Sequence, residues 1–346
     1  MSATADLILE RRKDLAEAVV TLQYDRRPQL VARYGPSGRG KCVEDVQYHL
    51  LFLAEAVAND SPALFCEYVA WAKVLFINLG IAVEDLAESL VALDDVLRIR
   101  LPGGAEIAAS IVGQARAELD KMPGDLPSFI RQEAAGGELA RLYLDALMAG
   151  DRHKASRLVM DKVTAGMTIP EVYLDVFQPA LREVGRLWQM NRITVAHEHF
   201  ATAATQAIMA QLYPHIFKAG TKHHTVIATC VGGELHEIGA RMVGDCLELD
   251  GWDTHYLGAN SPAKGIIRLL RERQADLLAV SATLTAHLHQ LADLIGEVRQ
   301  ELEHLPILVG GYPFNLDPSL CSKLGADGWA ADAAAAVAVA RRLVAR

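Results

Sequence analysis

The chain contains no run of about 18 uncharged apolar residues, the length a helix needs to cross a bilayer, so no membrane span is expected. Its first residues, Met1 to Asp6, lack a basic stretch followed by an apolar core, so no secretory signal is expected either. The five cysteines (Cys42, Cys66, Cys230, Cys246 and Cys321) are scattered and odd in number, which suits reduced thiols in a cytoplasm better than a disulfide framework. There is no surplus of positive charge. The formal net charge of −9 disfavours nonspecific contact with nucleic acid, and no convincing helix-turn-helix is present. What the chain has in quantity is apolar residues, 51% of 346, enough for two or three domains with real cores.

The most informative stretch is Val231-Gly-Gly-Glu234-Leu-His236-Glu-Ile-Gly239. It follows an apolar run, Thr225 to Cys230, that reads as a buried parallel strand, and it precedes a helix-period segment, Ala240 to Leu249. A histidine leaving such a strand sits at the carboxyl edge of the sheet, where open α/β sheets bind ligands. Glu234 can hold one ring nitrogen of His236 and fix its tautomer, the arrangement usual behind a metal-bound imidazole. Gly239 lets a large ligand approach the backbone. Taken by itself, Glu-x-His-x-x-Gly is a weak signal and reads first as an ordinary loop with no ligand. The strands that follow change the balance: Trp252 to Leu257, Asp276 to Val280, Ile307 to Val309 and Asp327 to Ala330, separated by amphipathic helices. This is the βαβ alternation of a parallel sheet, each strand ending in small or polar residues on one edge.

With Glu234, His236 and Gly239, with Ser281 and Thr283 after the third strand, and with Gly310 and Gly311 after the fourth, residues 223 to 346 resemble the cobalamin-binding domain of methionine synthase, corrinoid carrier proteins and light-sensing cobalamin proteins. The resemblance implies that His236 is the lower cobalt ligand and that the Ser and Gly-Gly elements line the buried nucleotide tail. Glu at 234, where methyl carriers usually have Asp, leans toward the light-sensing branch.

Residues 136 to 218 read as four helices, Gly137 to Ala149, Arg152 to Ala165, Ile169 to Met190 and Thr194 to Lys218, and resemble the helical cap of the same proteins. Within them, Val184-Gly-Arg-Leu-Trp188-Gln-Met-Asn-Arg-Ile-Thr-Val195-Ala-His-Glu198-His199 is similar to the cap of adenosylcobalamin-dependent light-sensing repressors. The resemblance places Trp188, Val195, Glu198 and His199 around an adenosyl group. One position departs: those repressors carry a cobalt-ligating His directly after the Trp, and this chain has Gln189. Either His197 or His199 takes that place, or no bis-histidine state forms.

Residues 1 to about 122 also read as helical, with segments Leu7 to Leu22, Glu44 to Val57, Pro62 to Leu79 and Val83 to Arg98, and with a loop over Arg33 to Gly40. Arg33, Tyr34, Arg39, Tyr48 and His49 resemble the N-terminal domain of stand-alone cobalamin photoreceptors, the photocobilins, some of which hold a linear tetrapyrrole. Arginines suit propionates and aromatic faces suit pyrrole rings. The alternatives are a biliverdin site or a structural module for dimerisation or partner docking. Cys42 and Cys66 are either thioether anchors or buried thiols.

The expected architecture is therefore multidomain, α plus α/β: an all-helical domain over 1–125, a four-helix-bundle cap over 126–219, and a Rossmann-like parallel five-stranded sheet over 220–346. The expected function is that of a cytoplasmic light sensor and not an enzyme. It binds adenosylcobalamin and a possible second chromophore, biliverdin. It would signal to a downstream protein or through a homo-oligomer, with no direct contact with nucleic acid or membrane. The competing reading is a corrinoid methyl carrier serving a separate methyltransferase.

Overall fold

The computed structural model describes residues 3–101, 103–217 and 224–345. The chain divides into two compact units, 1–126 and 127–346. The expected second boundary, near residue 219, lies outside the described residues.

The first unit is helical: α1 (Ala3–Glu10), α2 (Arg12–Arg26), α3 (Gln29–Ala58), α4 (Pro62–Asn78), α5 (Val83–Arg100) and α6 (Ala105–Glu118). In α2 the buried residues Leu15, Ala16, Val19, Val20 and Gln23 recur at three- and four-residue spacing, so one stripe faces the core. The segment expected as a loop, Arg33 to Gly40, is helical on both sides of a single break at Gly35, whose φ is 65°. Several glycines read as a loop in sequence, yet only one of them takes the left-handed conformation that bends the chain. α4 ends where Gly80 turns at φ 75°, with Gly80 N–H donating to Ile77 O at 3.1 Å and Ile81 N–H to Phe76 O at 2.8 Å. The buried Lys73 donates to Leu119 O at 2.8 Å and Met122 O at 2.7 Å, in the turn that follows α6.

The second unit opens with the four-helix bundle: α7 (Gly137–Met148), α8 (Arg152–Thr164), α9 (Ile169–Glu171) running through a π turn (Val172–Phe177) into α10 (Gln178–Gln189), and α11 (Val195–Ile216). Its apolar stripes meet in a core holding Tyr143, Tyr173, Phe177, Ile208 and Leu212. The Tyr143 hydroxyl is paired with Thr205 Oγ1 at 2.9 Å, so its polar atom is satisfied where it is buried.

The sheet follows, with β1 (Thr225–Cys230), β2 (Asp253–Tyr256), β3 (Leu277–Ser281), β4 (Ile307–Gly310) and β5 (Gly328–Ala330). The order is β2-β1-β3-β4-β5 and every pairing is parallel. The helices between and after them are α12 (Ile238–Leu249), α13 (Ala263–Glu272), α14 (Leu288–Glu301), α15 (Tyr312–Leu316), α16 (Leu320–Lys323) and α17 (Ala333–Val344). Register places Cys230, Ser281, Gly310 and Ala330 in one row across four strands, so the loops after them start side by side. The chain leaves β1 toward one edge for β2 and returns to the other side for β3. The crevice between β1 and β3 is thus the switch point where doubly wound sheets take ligands. Ile238, Met242 and Cys246 of α12 and Ala333 of α17 pack into the helical bundle's core, which makes bundle and sheet one body. Among the described residues no helix is long and apolar enough to cross a membrane.

Candidate functional site

The loop after β1 turns at Gly233, φ 82°, whose N–H donates to Asn260 Oδ1 at 2.8 Å, and Asn260 N–H donates to Glu234 O at 3.1 Å. This turn drives the Glu234 side chain inward, where none of it is exposed. Its Oε1 accepts from His236 Nδ1 at 2.6 Å and from His236 N–H at 2.9 Å. Its Oε2 accepts from the N–H groups of Thr283 at 2.8 Å and Leu284 at 2.9 Å, and lies 3.1 Å from His287 Nδ1. Burial alone would push this carboxyl up. Hydrogen bonds from His236, His287 and the backbone outweigh burial and hold it well below the usual carboxylate range. An ionised carboxylate only accepts, so Nδ1 of His236 carries the proton and Nε2 keeps its lone pair. The hydrogen bond to Glu234 raises the His236 pKa first, burial opposes it, and the Glu198 carboxylate of α11 raises it further. The His236 side chain is 57% exposed, and no partner of Nε2 is present among the described residues.

The neighbouring loops complete the edge. Ser281 ends β3 and Gly310 ends β4. Thr283 reaches Glu234 through its backbone N–H, not through its hydroxyl. Gly311 has φ 120°, and a Cβ there would lie 1.9 Å from Ala282 O, so only glycine lets the two loops approach. A Cβ at Gly239, the second residue of α12, would meet nothing within 4 Å, leaving open space at that backbone.

The bundle contributes Trp188 near the end of α10, 38% exposed, and Val195 at the start of α11, 53% exposed. Leu235, beside His236, is 72% exposed. Large apolar side chains bare on both the bundle and the loop fit a bulky apolar ligand that would cover them. Glu198 holds His199 Nδ1 at 2.7 Å and Thr202 Oγ1 at 2.9 Å. His197 is occupied differently: its Nδ1 pairs with Thr194 Oγ1 at 2.9 Å and closes the N-terminus of α11. Gln189 is buried in the bundle. Among the described residues no group of three or more His, Cys, Asp or Glu side chains is arranged to hold a metal ion. With its tautomer fixed by Glu234, the His236 imidazole can serve as a single metal ligand.

Four residues of this site carried no sequence signal of their own: Glu237, Tyr256, Asn260 and His287. They become partners only when elements distant in sequence meet near the switch point, as with Glu237 and Gln206 of α11.

The residues singled out in the first unit do not converge on an open pocket. Arg33 and Tyr34 both donate to Asp85, as does Arg27, and together they hold α3 against α5. Arg39 pairs with Glu17 at 3.0 Å and Thr21 at 2.9 Å on α2. His49 is buried against the Tyr68 hydroxyl at 2.7 Å, and burial lowers its pKa to about 4, so it is neutral. Burial also pushes the Cys66 thiol up to about 11 and raises that of Cys42, which leaves both unreactive as thiolates.

Residues 224–338 and 139–213 each match a B12 binding domain family. Dimethylamine corrinoid protein 1 of Methanosarcina acetivorans is 29% identical over 170 residues, 48% of this chain and 78% of that protein. Dimethylamine corrinoid protein 2 of the same organism is 26% identical over 220 residues, covering 61% and 98%. The HTH-type transcriptional repressor CarH of Myxococcus xanthus is 29% identical over 184 residues, covering 52% and 60%. The fold matches that of the Methanosarcina barkeri monomethylamine corrinoid protein with a TM-score of 0.54 at 21% identity, over 60% of this chain and all of that one.

Proposed function

We propose that this chain, a cobalamin-binding protein by its two matched domains, is a light sensor that takes adenosylcobalamin between helical cap and sheet. The observation that carries the proposal is the cap's own surface. Trp188 is 38% exposed and Val195 53%, and Glu198, steadied by His199 and Thr202, presents a partly exposed carboxylate whose charge raises the His236 pKa. An aromatic face suits adenine, and a carboxylate suits ribose hydroxyls. Bound adenosylcobalamin supplies a cobalt–carbon bond that visible light breaks. His236 would hold the cobalt, oriented by Glu234. Trp188, Val195 and Glu198 would lie against the adenosyl group when it is bound, and the cap they belong to would repack when it is not, a shift between two arrangements that a partner protein or a second copy of the chain would read. On this reading the chain is not an enzyme.

The test compares binding of adenosylcobalamin and methylcobalamin to the wild type and to Trp188→Ala, together with absorption spectra before and after illumination. A preference for the adenosyl form that Trp188→Ala abolishes supports the sensor. Equal affinities in both proteins support a corrinoid methyl carrier, the reading favoured by the names of the dimethylamine corrinoid relatives. Biliverdin is the second ligand of the proposal, for the first unit. There Tyr48 is exposed, and Phe52, four residues on in α3, stacks on Tyr68 with ring centroids 4.1 Å apart. Added biliverdin should then give a red-region band whose shape depends on whether the cobalamin has been illuminated.

A further inference from the structure

Glu237 follows His236 directly and stands where three elements meet. Its Oε1 accepts from Gln206 Nε2 of α11 at 2.5 Å. Its Oε2 accepts from the Tyr256 hydroxyl at the end of β2 at 3.1 Å and from Ala259 N–H in the next loop at 3.0 Å. One turn later, Arg241 Nη1 donates to Gln206 O at 3.3 Å, and its guanidinium lies 5.2 Å from the centre of the Tyr213 ring, also on α11. Two turns later Asp245 accepts from Tyr173 of the π turn at 2.6 Å. The side of α12 that carries these groups is thus fastened along its length to the bundle, and the fastening begins at the residue next to the imidazole. The Glu234 network fixes how His236 is turned. It does not tie His236 to the bundle, because all its donors come from the loops after β1 and β3.

We infer that Glu237 is a positioning residue, coupling the His236 loop to cap helix α11 through Gln206, so that ordering on one face of the site orders the other. The carboxylate has four lone-pair sites and uses three of them, on partners from both sides, so a cap that moves must either carry the 231–237 loop with it or break a charge-assisted bond. By reciprocity, ligation at His236 must steady α11 as much as α11 steadies the loop. The consequence for ligation rests on the cobalamin reading; the mechanical link in the empty protein does not.

Hydrogen exchange on the full chain without cobalamin tests the link. In Gln206→Ala, changed only on the cap, amides of residues 231–237 should exchange about tenfold faster than in the wild type, with α7 and α8 unaffected. Gln206→Lys, which restores a donor, should recover most of that protection. Hydroxocobalamin should then bind Gln206→Ala about tenfold more weakly while still showing the imidazole-bound spectrum. Unchanged exchange in the loop, a uniform rise across residues 127–346 with a fall in Tm, or wild-type affinity for hydroxocobalamin would each overturn the inference. If hydroxocobalamin gives no imidazole-bound spectrum even with the wild type, it is the cobalamin reading that fails, and the exchange result still decides the link.

Discussion

Two places in the second unit carry the same pair of residue types at nearly the same distance: Glu234 with His236 at 2.6 Å in the loop after β1, and Glu198 with His199 at 2.7 Å on α11. They differ in what surrounds the carboxylate. Glu234 is fully buried and accepts from two further backbone N–H groups of the loop after β3, whereas Glu198 is 35% exposed and adds only the Thr202 hydroxyl. Burial makes the Glu234 carboxylate dependent on its donors, and the donors hold its pKa well below the usual carboxylate range. The first imidazole is thereby locked in tautomer and direction. The second, 74% exposed, is held by one contact that water can replace. One pair is fixed and the other movable, the contrast that the proposed sensor would use.

The sharpest way to break this contrast is to remove each imidazole in turn. His236→Ala should weaken hydroxocobalamin binding by more than about a hundredfold, beyond the 10- to 100-fold usual for a residue that merely orients a ligand. His199→Ala should change it by less than about threefold. Titration followed by absorption measures both. Equal losses would mean that the two pairs are equivalent.

The carboxylates give the next largest difference. Glu234→Ala strands the N–H groups of His236, Thr283 and Leu284, each hydrogen-bonded to Glu234 in the native loop. At about 1–3 kcal/mol for an unsatisfied buried donor, and with water entering part of the gap, a loss of about 3 kcal/mol is expected in urea unfolding of the cobalamin-free chain. A loss below about 1 kcal/mol would show that the Glu234 network is as replaceable as the exposed pair.

How much of this contrast is written in the chain follows from range. The short apolar runs and the period-3.6 patterns marked five strands and the four cap helices to within about two residues, because each depends on neighbours along one element. Glu234 and His236, two residues apart, could be paired from sequence for the same reason. Their difference from Glu198 and His199 could not. It rests on Thr283 and Leu284, some fifty residues on, and on register that places Cys230 beside Ser281. In the first unit, Arg33, Tyr34 and Arg39 were legible as polar and aromatic residues. That their partners are Asp85 and Glu17 is fixed by the packing of α3 on α5 and α2.

A third histidine separates burial from partner as the cause. His49 is as buried as Glu234, but its partner is the neutral Tyr68 hydroxyl, and burial lowers its pKa to about 4 where the Glu234 carboxylate raises that of His236. A folded pKa below the unfolded value of about 6.5 means the native state holds the neutral ring. No stability is lost above pH 6.5. Below it the unfolded chain binds a proton that the fold refuses, and stability falls as pH drops toward 4. Between pH 6.5 and 5 the loss attributable to His49 is about 1.5 kcal/mol. Asp45 and Asp245, both pushed up to about 6 by burial, act in the opposite direction. The measurement is therefore the difference in unfolding free energy between wild type and His49→Leu at the two pH values. If that difference does not change with pH, the ring is not held neutral.

The smallest expected effect is the most pointed, because it concerns a change that should do almost nothing until a ligand is present. Glu198→Ala removes an acceptor whose two donors, His199 and Thr202, sit at the exposed start of α11 and can turn to water. The cobalamin-free chain should lose less than about 1 kcal/mol, the ordinary value of an exposed charged pair plus a weak preference for acid in a helix's first turn. The same variant should nonetheless reduce the preference for adenosylcobalamin over methylcobalamin, since the carboxylate proposed to accept from ribose hydroxyls is gone. Stability nearly intact with selectivity reduced would set Glu198 apart from Glu234, whose removal costs the fold before any ligand is added. A stability loss matching that of Glu234→Ala would instead make Glu198 part of the scaffold and remove the argument that the cap is the movable face.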